Sequence, residues 1–220
     1  METRGASLIS DQAIRIARVA PSTTAEGPGV RFAVWVQGCT IRCNGCFNAH
    51  LWGQSGGTLI CPRDLAQQAL ESDVEGVTLL GGEPFEQAEG LSVFASLARV
   101  SGLSVMTFTG RNLSDLEQEA GSRPAVRRLI DATDLLVDGP YVADHPDLVR
   151  PWVGSTNQHF HFLTDRYESL RDDLPSVVDR LEIHVAGDGT VSVNGWATVD
   201  QLEQLLADTG IASPKKGKPR

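Results

Sequence analysis

Three cysteines lie close together in the chain, at Cys39, Cys43 and Cys46, separated by three and then by two other residues. A four-iron, four-sulfur cluster is normally held by four cysteine thiolates. A loop with only three thiolates therefore predicts a cluster in which one iron has no protein ligand. Because an open coordination position distinguishes catalytic from structural zinc sites, this spacing indicates a metal centre that acts on a bound molecule.

The same cysteines allow two other interpretations. Zinc also accepts thiolate ligands, and Cys61 or His50 could complete a zinc knuckle. Structural zinc cysteines usually come as two separated pairs, however, and the sequence has no second pair. A disulfide is less favoured, because no secretory apolar region follows Met1 and a reducing cytoplasm is therefore expected.

Length and charge are typical of one enzyme domain. The chain has 220 residues, enough for a large single core, and its net charge of −9 argues against nonspecific binding to nucleic acid. No apolar run approaches the roughly 20 residues that span a membrane. We expect one domain over residues 1–212 and a disordered basic tail over residues 213–220.

Hydrophobic periodicity predicts alternating strands and helices. Strands are expected at residues 14–20, 31–37, 76–80, 104–108 and 135–138, and a hairpin over 182–185 and 190–193. Helices are expected at residues 62–71, 85–100, 113–120, 124–131, 167–180 and 199–206. Such alternation predicts an α/β fold with a parallel sheet, whose chemistry lies at the carboxyl ends of the strands.

Several distinctive segments follow these predicted strands. Cys39 follows the second strand, and Gly81 and Gly82 follow the apolar run over residues 77–80. Glycine lets a ligand approach the backbone closely, although a Gly-Gly pair can equally be a simple strand-to-helix turn. Thr107, Thr109 and Asp138 stand at the ends of two further strands.

Taken in order, these segments resemble the radical S-adenosylmethionine (SAM) activating enzymes. The resemblance is strongest to the activase of anaerobic ribonucleotide reductase and next to that of pyruvate formate-lyase. It spans about residues 14–195 and rests on the segments at residues 26–39, 43–48, 81–84, 105–110, 138–141, 154–158 and 182–189. The implied fold is a partial, open (β/α)6-type barrel.

The resemblance implies one [4Fe-4S] cluster on Cys39, Cys43 and Cys46, with SAM bound to the open iron. The backbone of Gly81, Gly82 and Glu83 would receive the SAM amino group, and Pro84 would stiffen that turn. The other implied SAM contacts are Phe47 at the adenine, Thr107, Thr109 and Asp138 near the methionine or ribose, and Asn157, whose role is undefined. No side chain is assigned a catalytic role.

Two positions depart from common family patterns. Gly45 stands where many radical SAM enzymes have an aromatic residue, although a small residue is common in the reductase-activase branch. Pro140 replaces a lysine found near a small cation site in the pyruvate formate-lyase activases. The resemblance therefore does not extend to that cation site.

The implied reaction is one-electron cleavage of SAM to methionine and a 5′-deoxyadenosyl radical. In the activases, this radical takes a hydrogen atom from a glycine of a glycyl radical enzyme. The resemblance implies anaerobic ribonucleotide reductase as the leading partner. A flavodoxin- or ferredoxin-type protein would supply the electron, and neither nucleic acid nor membrane is an expected partner. A radical SAM enzyme acting on a peptide or small metabolite, and a noncatalytic iron–sulfur module, remain as alternatives.

Overall fold

A mixed seven-stranded sheet organises the chain in a computed structural model, which describes residues 12–178, 181–185, 187 and 191–195. The strands are β1 (Ile14–Thr23), β2 (Arg31–Val36), β3 (Thr58–Ile60), β4 (Gly76–Gly81), β5 (Ser104–Phe108), β6 (Leu135–Asp138) and β7 (His159–Phe162). Their order across the sheet is β3-β1-β2-β4-β5-β6-β7.

The centre of the sheet is parallel, and its two sides are antiparallel. Strands β2, β4, β5 and β6 run parallel to one another, whereas β1 is antiparallel to β2 and β3, and β7 is antiparallel to β6. The expectation of a parallel sheet is therefore confirmed for the central strands only. Analysis of the sequence missed β3 and β7.

Four helices connect or follow the central strands: α1 (Pro62–Leu70), α2 (Ala88–Val100), α3 (Leu113–Ala120) and α4 (Pro124–Ala132). A single turn of 3-10 helix at Ala49–Leu51 lies in the cysteine region, and another 3-10 segment, Pro84–Gln87, directly precedes α2. These elements agree closely with the predicted helices in this part of the chain.

The two faces of the sheet have different roles because successive side chains of a strand point to opposite sides. On one face, Val34, Leu79 and Val105 pack with Phe94 and Leu129 of the helices in the main buried cluster. On the other face, the apolar residues form smaller clusters that contain Ala33, Trp35, Leu80, Met106 and Val137. This second face is the one that contributes to the cavity described below.

Arg31 is fully buried at the amino-terminal end of β2. Its guanidinium donates to Thr78 Oγ1 at 3.0 Å, Ser104 Oγ at 2.6 Å and the carbonyl oxygen of Val77 at 2.5 Å, and to the hydroxyl of Tyr167 at 3.0 Å. Burial lowers the pKa of this guanidinium. These bonds hold β2, β4 and β5 together at the end of the sheet opposite the cysteines.

The predicted helix at residues 167–180 is wrong over the residues that the structure describes. Two short 3-10 segments, Asp165–Leu170 and Leu174–Ser176, replace it. The backbone of Tyr167 leaves the helical region at φ −117° and ψ 18°. Pro175 has no backbone N–H and therefore cannot donate the hydrogen bond that a continuing helix needs.

The predicted hairpin is confirmed: β8 (Glu182–Val185) pairs antiparallel with β9 (Val191–Asn194). The predicted helix at 199–206 and the basic tail at 213–220 lie outside the described residues. Every helix of the described part is too short or too polar to traverse a lipid bilayer.

Candidate active site at the carboxyl ends of the central strands

A cavity of about 240 Å³ opens where β2, β4, β5 and β6 end. Cys39, Cys43 and Cys46 line it together with the glycine-rich turn that follows β4. The other lining residues include Arg18, Glu26, Trp35, Ile41, Phe47, Trp52, Leu80, Phe108, Thr109, Gly110, Gly139, Tyr141, Trp152 and Gln158. The structure therefore brings the cysteines and the turn into one site, as parallel strands with aligned carboxyl ends predict.

The cysteine loop is anchored at its start and turned sharply within. The Gly38 amide donates to the carbonyl oxygen of Leu51 at 2.8 Å, and the Cys39 amide donates to that of Trp52 at 3.2 Å. Arg42 and Gly45 have left-handed backbones, with φ of 54° and 76°. These turns let three residues of one short segment face the same cavity.

The three cysteines are free thiols, each partly exposed. Burial raises the pKa of the Cys39 and Cys43 thiols, and the backbone amide of Tyr141 opposes that rise at Cys43 by hydrogen bonding to its sulfur. Because iron binds the thiolate rather than the thiol, binding must release these protons. Three free thiols on one wall of a cavity fit the donor set of a cluster with one open iron.

The zinc-knuckle interpretation requires Cys39, Cys43 and Cys46 to converge with Cys61 or His50 on one ion. Among the residues that the structure describes, no three Cys, His, Asp or Glu side chains converge tightly enough for a single metal ion. An iron–sulfur cube is larger than one ion, so its thiolates need a wider spacing. Of the two candidate fourth zinc ligands, Cys61 lies at the N-cap of α1 and His50 lies in the 3-10 turn Ala49–Leu51.

The glycine-rich turn packs against β2 and the start of the cysteine loop. A Cβ on Gly81 would lie 2.7 Å from Trp35 Cα, and one on Gly82 would overlap the carbonyl oxygen of Gly38. The amides of Gly82 and Glu83 donate to the carbonyl oxygens of Val36 and Gly38, each at 2.8 Å. The glycines are thus required by the neighbouring strand itself, in addition to lining the cavity.

Glu83 fixes the end of β4 to the end of β5. Its buried carboxylate accepts hydrogen bonds from the Thr109 hydroxyl at 2.8 Å and from the Gly110 and Phe85 amides, each at 3.0 Å. Burial raises the pKa of this carboxyl to about 7, although the three donors favour the charged form. Two predicted site residues, Glu83 and Thr109, are therefore bonded to one another.

Thr107 and Asp138, two residues implied to lie near SAM, are not among the residues that line the cavity. Thr107 is fully buried, and its hydroxyl is 2.9 Å from that of Thr133. The Asp138 carboxylate accepts a hydrogen bond from the amide of Leu113, the first residue of α3, at 2.6 Å. Both side chains point to the helix face, because positions along a strand alternate between faces.

The remaining predicted residues are distributed around the site. Phe47 lines the cavity and is 49% exposed. Pro84 is buried at the first position of its 3-10 segment. Asn157 does not line the cavity; it donates to the carbonyl oxygen of Pro140 at 2.7 Å, while the adjacent Gln158 reaches the wall.

Two histidines adjoin Asp138 from β7. His161 Nε2 lies 3.0 Å from Asp138 Oδ2 without hydrogen-bond alignment, and His159 Nδ1 lies 3.5 Å from Asp138 Oδ1. The pairing of β6 with β7 places them there, since Asp138 is opposite His159 in the register. This antiparallel neighbour was not among the sequence-based predictions.

Gly45 makes room for the segment that follows β6. A Cβ at Gly45 would lie 3.0 Å from Ala143 Cβ and 3.5 Å from the Tyr141 ring. Tyr141 also lines the cavity beside Cys43 and Cys46. The ring of Tyr141, which follows β6, thus packs beside Gly45, the position at which many radical SAM enzymes have an aromatic residue.

We expect Gly45→Ala to impair cluster assembly more than Gly102→Ala does. Both glycines have positive φ, so either substitution costs about 1–2 kcal/mol of strain. Only Gly45→Ala also presses on Ala143, because no atom lies within 4 Å of a Cβ at Gly102. Iron per chain after anaerobic reconstitution should fall in the first variant alone; equal iron content in both would contradict this packing.

Glu83 should make stability depend on pH. Its carboxyl has an ordinary pKa of 4.5 and a folded pKa of about 7, so the folded state binds more protons between these values. The free energy of unfolding should therefore fall, by about 3 kcal/mol in total, as the pH rises from about 4.5 to 7.

Glu83→Gln removes this dependence because the amide does not titrate. Denaturant unfolding of both cluster-free proteins from pH 5 to 8 should show wild type losing stability relative to the variant as the pH rises. Parallel curves for the two proteins would contradict the raised pKa.

Comparison with known proteins agrees with this site. A family model described as a 4Fe-4S single cluster domain matches residues 25–161. The anaerobic ribonucleoside-triphosphate reductase-activating protein of Enterobacteria phage T4 is 30% identical over 155 residues, which are 67% of this chain and 94% of that protein. The protein of the same name from Haemophilus influenzae is 28% identical over 152 residues, covering 64% and 93% of the two chains.

Two further similarities cover less of this chain. The pyruvate formate-lyase-activating enzyme of Listeria monocytogenes is 30% identical over 129 residues, covering 56% of this chain and 51% of that enzyme. The crystal structure of QueE from Escherichia coli has a TM-score of 0.41 at 19% identity, over 49% of this chain and 57% of that chain. From the family match and the relatives in sequence, this chain belongs to the 4Fe-4S single cluster domain family and is a radical SAM enzyme of the activating type.

Proposed function

We propose that this radical SAM enzyme installs a glycyl radical on a partner protein, with anaerobic ribonucleoside-triphosphate reductase as the leading candidate. The observation that carries the proposal is the convergence of three free thiols and the glycine-rich turn on one cavity. The names of the relatives supply the class of partner, because two of them are reductase-activating proteins.

We assign the [4Fe-4S] cluster to Cys39, Cys43 and Cys46. When bound and reduced, the cluster supplies one electron that cleaves SAM into methionine and a 5′-deoxyadenosyl radical. A flavodoxin- or ferredoxin-type protein is the proposed source of that electron. A reducing compartment such as the cytoplasm would keep the three thiols available for iron.

We assign recognition of the SAM amino group to the turn over Gly81, Gly82 and Glu83. An ammonium only donates hydrogen bonds, so the carbonyl oxygens of the turn are the backbone groups that can accept from it. The amides of Gly82 and Glu83 instead donate to the carbonyl oxygens of Val36 and Gly38. The bonds from Thr109 and Gly110 to the Glu83 side chain hold this turn in place.

Apolar side chains of the cavity wall would protect a radical from side reactions. Trp35, Ile41, Leu80 and Phe108 line the cavity close to the strand ends. Such walls exclude water from reactive intermediates. Phe47, which is half exposed at the same cavity, is the proposed adenine contact, and Thr109 the proposed neighbour of the ribose or methionine.

Thr107, Asp138 and Asn157 have supporting roles in this proposal, because their side chains bond to neighbouring elements outside the cavity lining. Asp138 caps α3 through the Leu113 amide, and Asn157 holds the carbonyl of Pro140. We further propose that the mixed sheet is the partial, open barrel of radical SAM enzymes and that residues 1–212 form one domain.

The direct test is 5′-deoxyadenosine formation by anaerobically reconstituted protein with dithionite and SAM. Cys43→Ala should reduce the product by at least about 100-fold, since loss of a cluster ligand removes the electron source. Cys61→Ala is the matched control, because Cys61 lies outside the cavity lining, and it should retain wild-type activity.

Adding the reductase subunit should then produce a glycyl radical detectable by electron paramagnetic resonance with wild type and Cys61→Ala. Product from the Cys43→Ala protein at the wild-type rate would contradict the ligand assignment. Product without a glycyl radical would instead favour a peptide or small metabolite as hydrogen donor.

A further inference from the structure

The segment over residues 141–152, called here the rim loop, begins and ends at the cavity. Tyr141 at its start and Trp152 at its end both belong to the cavity wall. The intervening residues contribute no part of that wall. The rim loop therefore projects from the site while remaining attached to it at both ends.

Charged hydrogen bonds fix the tip of the rim loop, defined here as residues 147–150. The carboxylate of Asp147 accepts from the amides of Val149 and Arg150, each at 2.9 Å, and from Arg150 Nε at 2.6 Å. The Arg150 guanidinium also donates to the carbonyl oxygens of Gln158 at 2.8 Å and Thr156 at 3.1 Å. Asp147 is buried, and the donors from Val149 and Arg150 compensate its charge.

This framework holds two adjacent apolar side chains in solvent. Leu148 is 80% exposed and Val149 is 70% exposed. Single exposed apolar residues are ordinary on protein surfaces, whereas contiguous exposed apolar surface marks interaction sites. Leu148 and Val149 are contiguous, and both ends of their loop line the cavity. Because the Asp147–Arg150 pair neutralises itself, residues 147–150 present apolar surface without a net charge, and the exposed Asp144 precedes them in the same loop.

We propose that Leu148 and Val149 dock an apolar part of the partner protein whose backbone supplies the hydrogen atom. The inference rests on the proposed function, in which the hydrogen donor is a Cα atom of another polypeptide. That polypeptide must reach a cavity to which the rim loop is attached at both ends. Apolar anchors at the centre of an interface usually contribute most of its binding energy.

The test uses the double variant Leu148→Ser/Val149→Ser. Its matched control is Val100→Ser, since Val100 is 88% exposed but ends α2 in the helix layer. Binding of each reconstituted protein to the purified anaerobic ribonucleoside-triphosphate reductase subunit of the same organism is measured anaerobically by biolayer interferometry. Partner-independent 5′-deoxyadenosine formation and sedimentation velocity are measured on the same samples.

The double variant should bind the subunit at least about tenfold more weakly than wild type, and Val100→Ser should bind like wild type. Formation of 5′-deoxyadenosine without partner should be unchanged in all three proteins. Wild-type affinity in the double variant would overturn the docking inference while leaving the proposed function intact.

Two further outcomes would overturn the inference in other ways. If wild type neither binds the subunit nor generates a glycyl radical on it, the proposed function fails and the docking inference fails with it. If wild type sediments as a dimer and the double variant as a monomer, the tip contacts a second copy of this chain instead.

Discussion

The close contact between the turn after β4 and the backbone after β2 is the constraint on which the site depends. Residue 82 can approach Gly38 this closely only because it has no side chain. Two backbone hydrogen bonds of 2.8 Å, donated by the amides of Gly82 and Glu83, join the two segments. Cys39 directly follows this junction. The position of the cysteine loop is thus set by backbone packing, so the glycines and the cysteines are one structural unit.

The same unit includes a buried charge that the fold must accommodate. Glu83 lies between the cysteine loop and β5, where burial raises the pKa of its carboxyl to about 7. The carboxylate accepts from the Phe85 amide after β4 and from Thr109 and Gly110 after β5, so it connects the ends of these two strands. The hydrogen bonds of the Glu83 carboxylate orient the turn after β4. Removing this carboxylate from water costs free energy, and that cost opposes the ordering of the turn.

Much of this arrangement could be predicted from the sequence because it depends on residue type and spacing. The cysteine spacing indicates an iron–sulfur site, and apolar periodicity located the central strands and α1–α4. The face on which Thr107 and Asp138 lie could not be read, because β5 and β6 are buried on both sides and their sequences show no alternation. The antiparallel strand β7 and the burial of Arg31 depend on tertiary contacts that have no local signature.

We propose that the three cysteines leave one iron of the cluster open for SAM, and Mössbauer spectroscopy of the ⁵⁷Fe-reconstituted protein can detect such an iron. Spectra are compared before and after addition of SAM, in the oxidised state where cleavage does not occur. Addition of SAM should change the isomer shift and quadrupole splitting of one of the four irons and leave those of the other three unchanged. Four irons that are unaffected by SAM would contradict an open site.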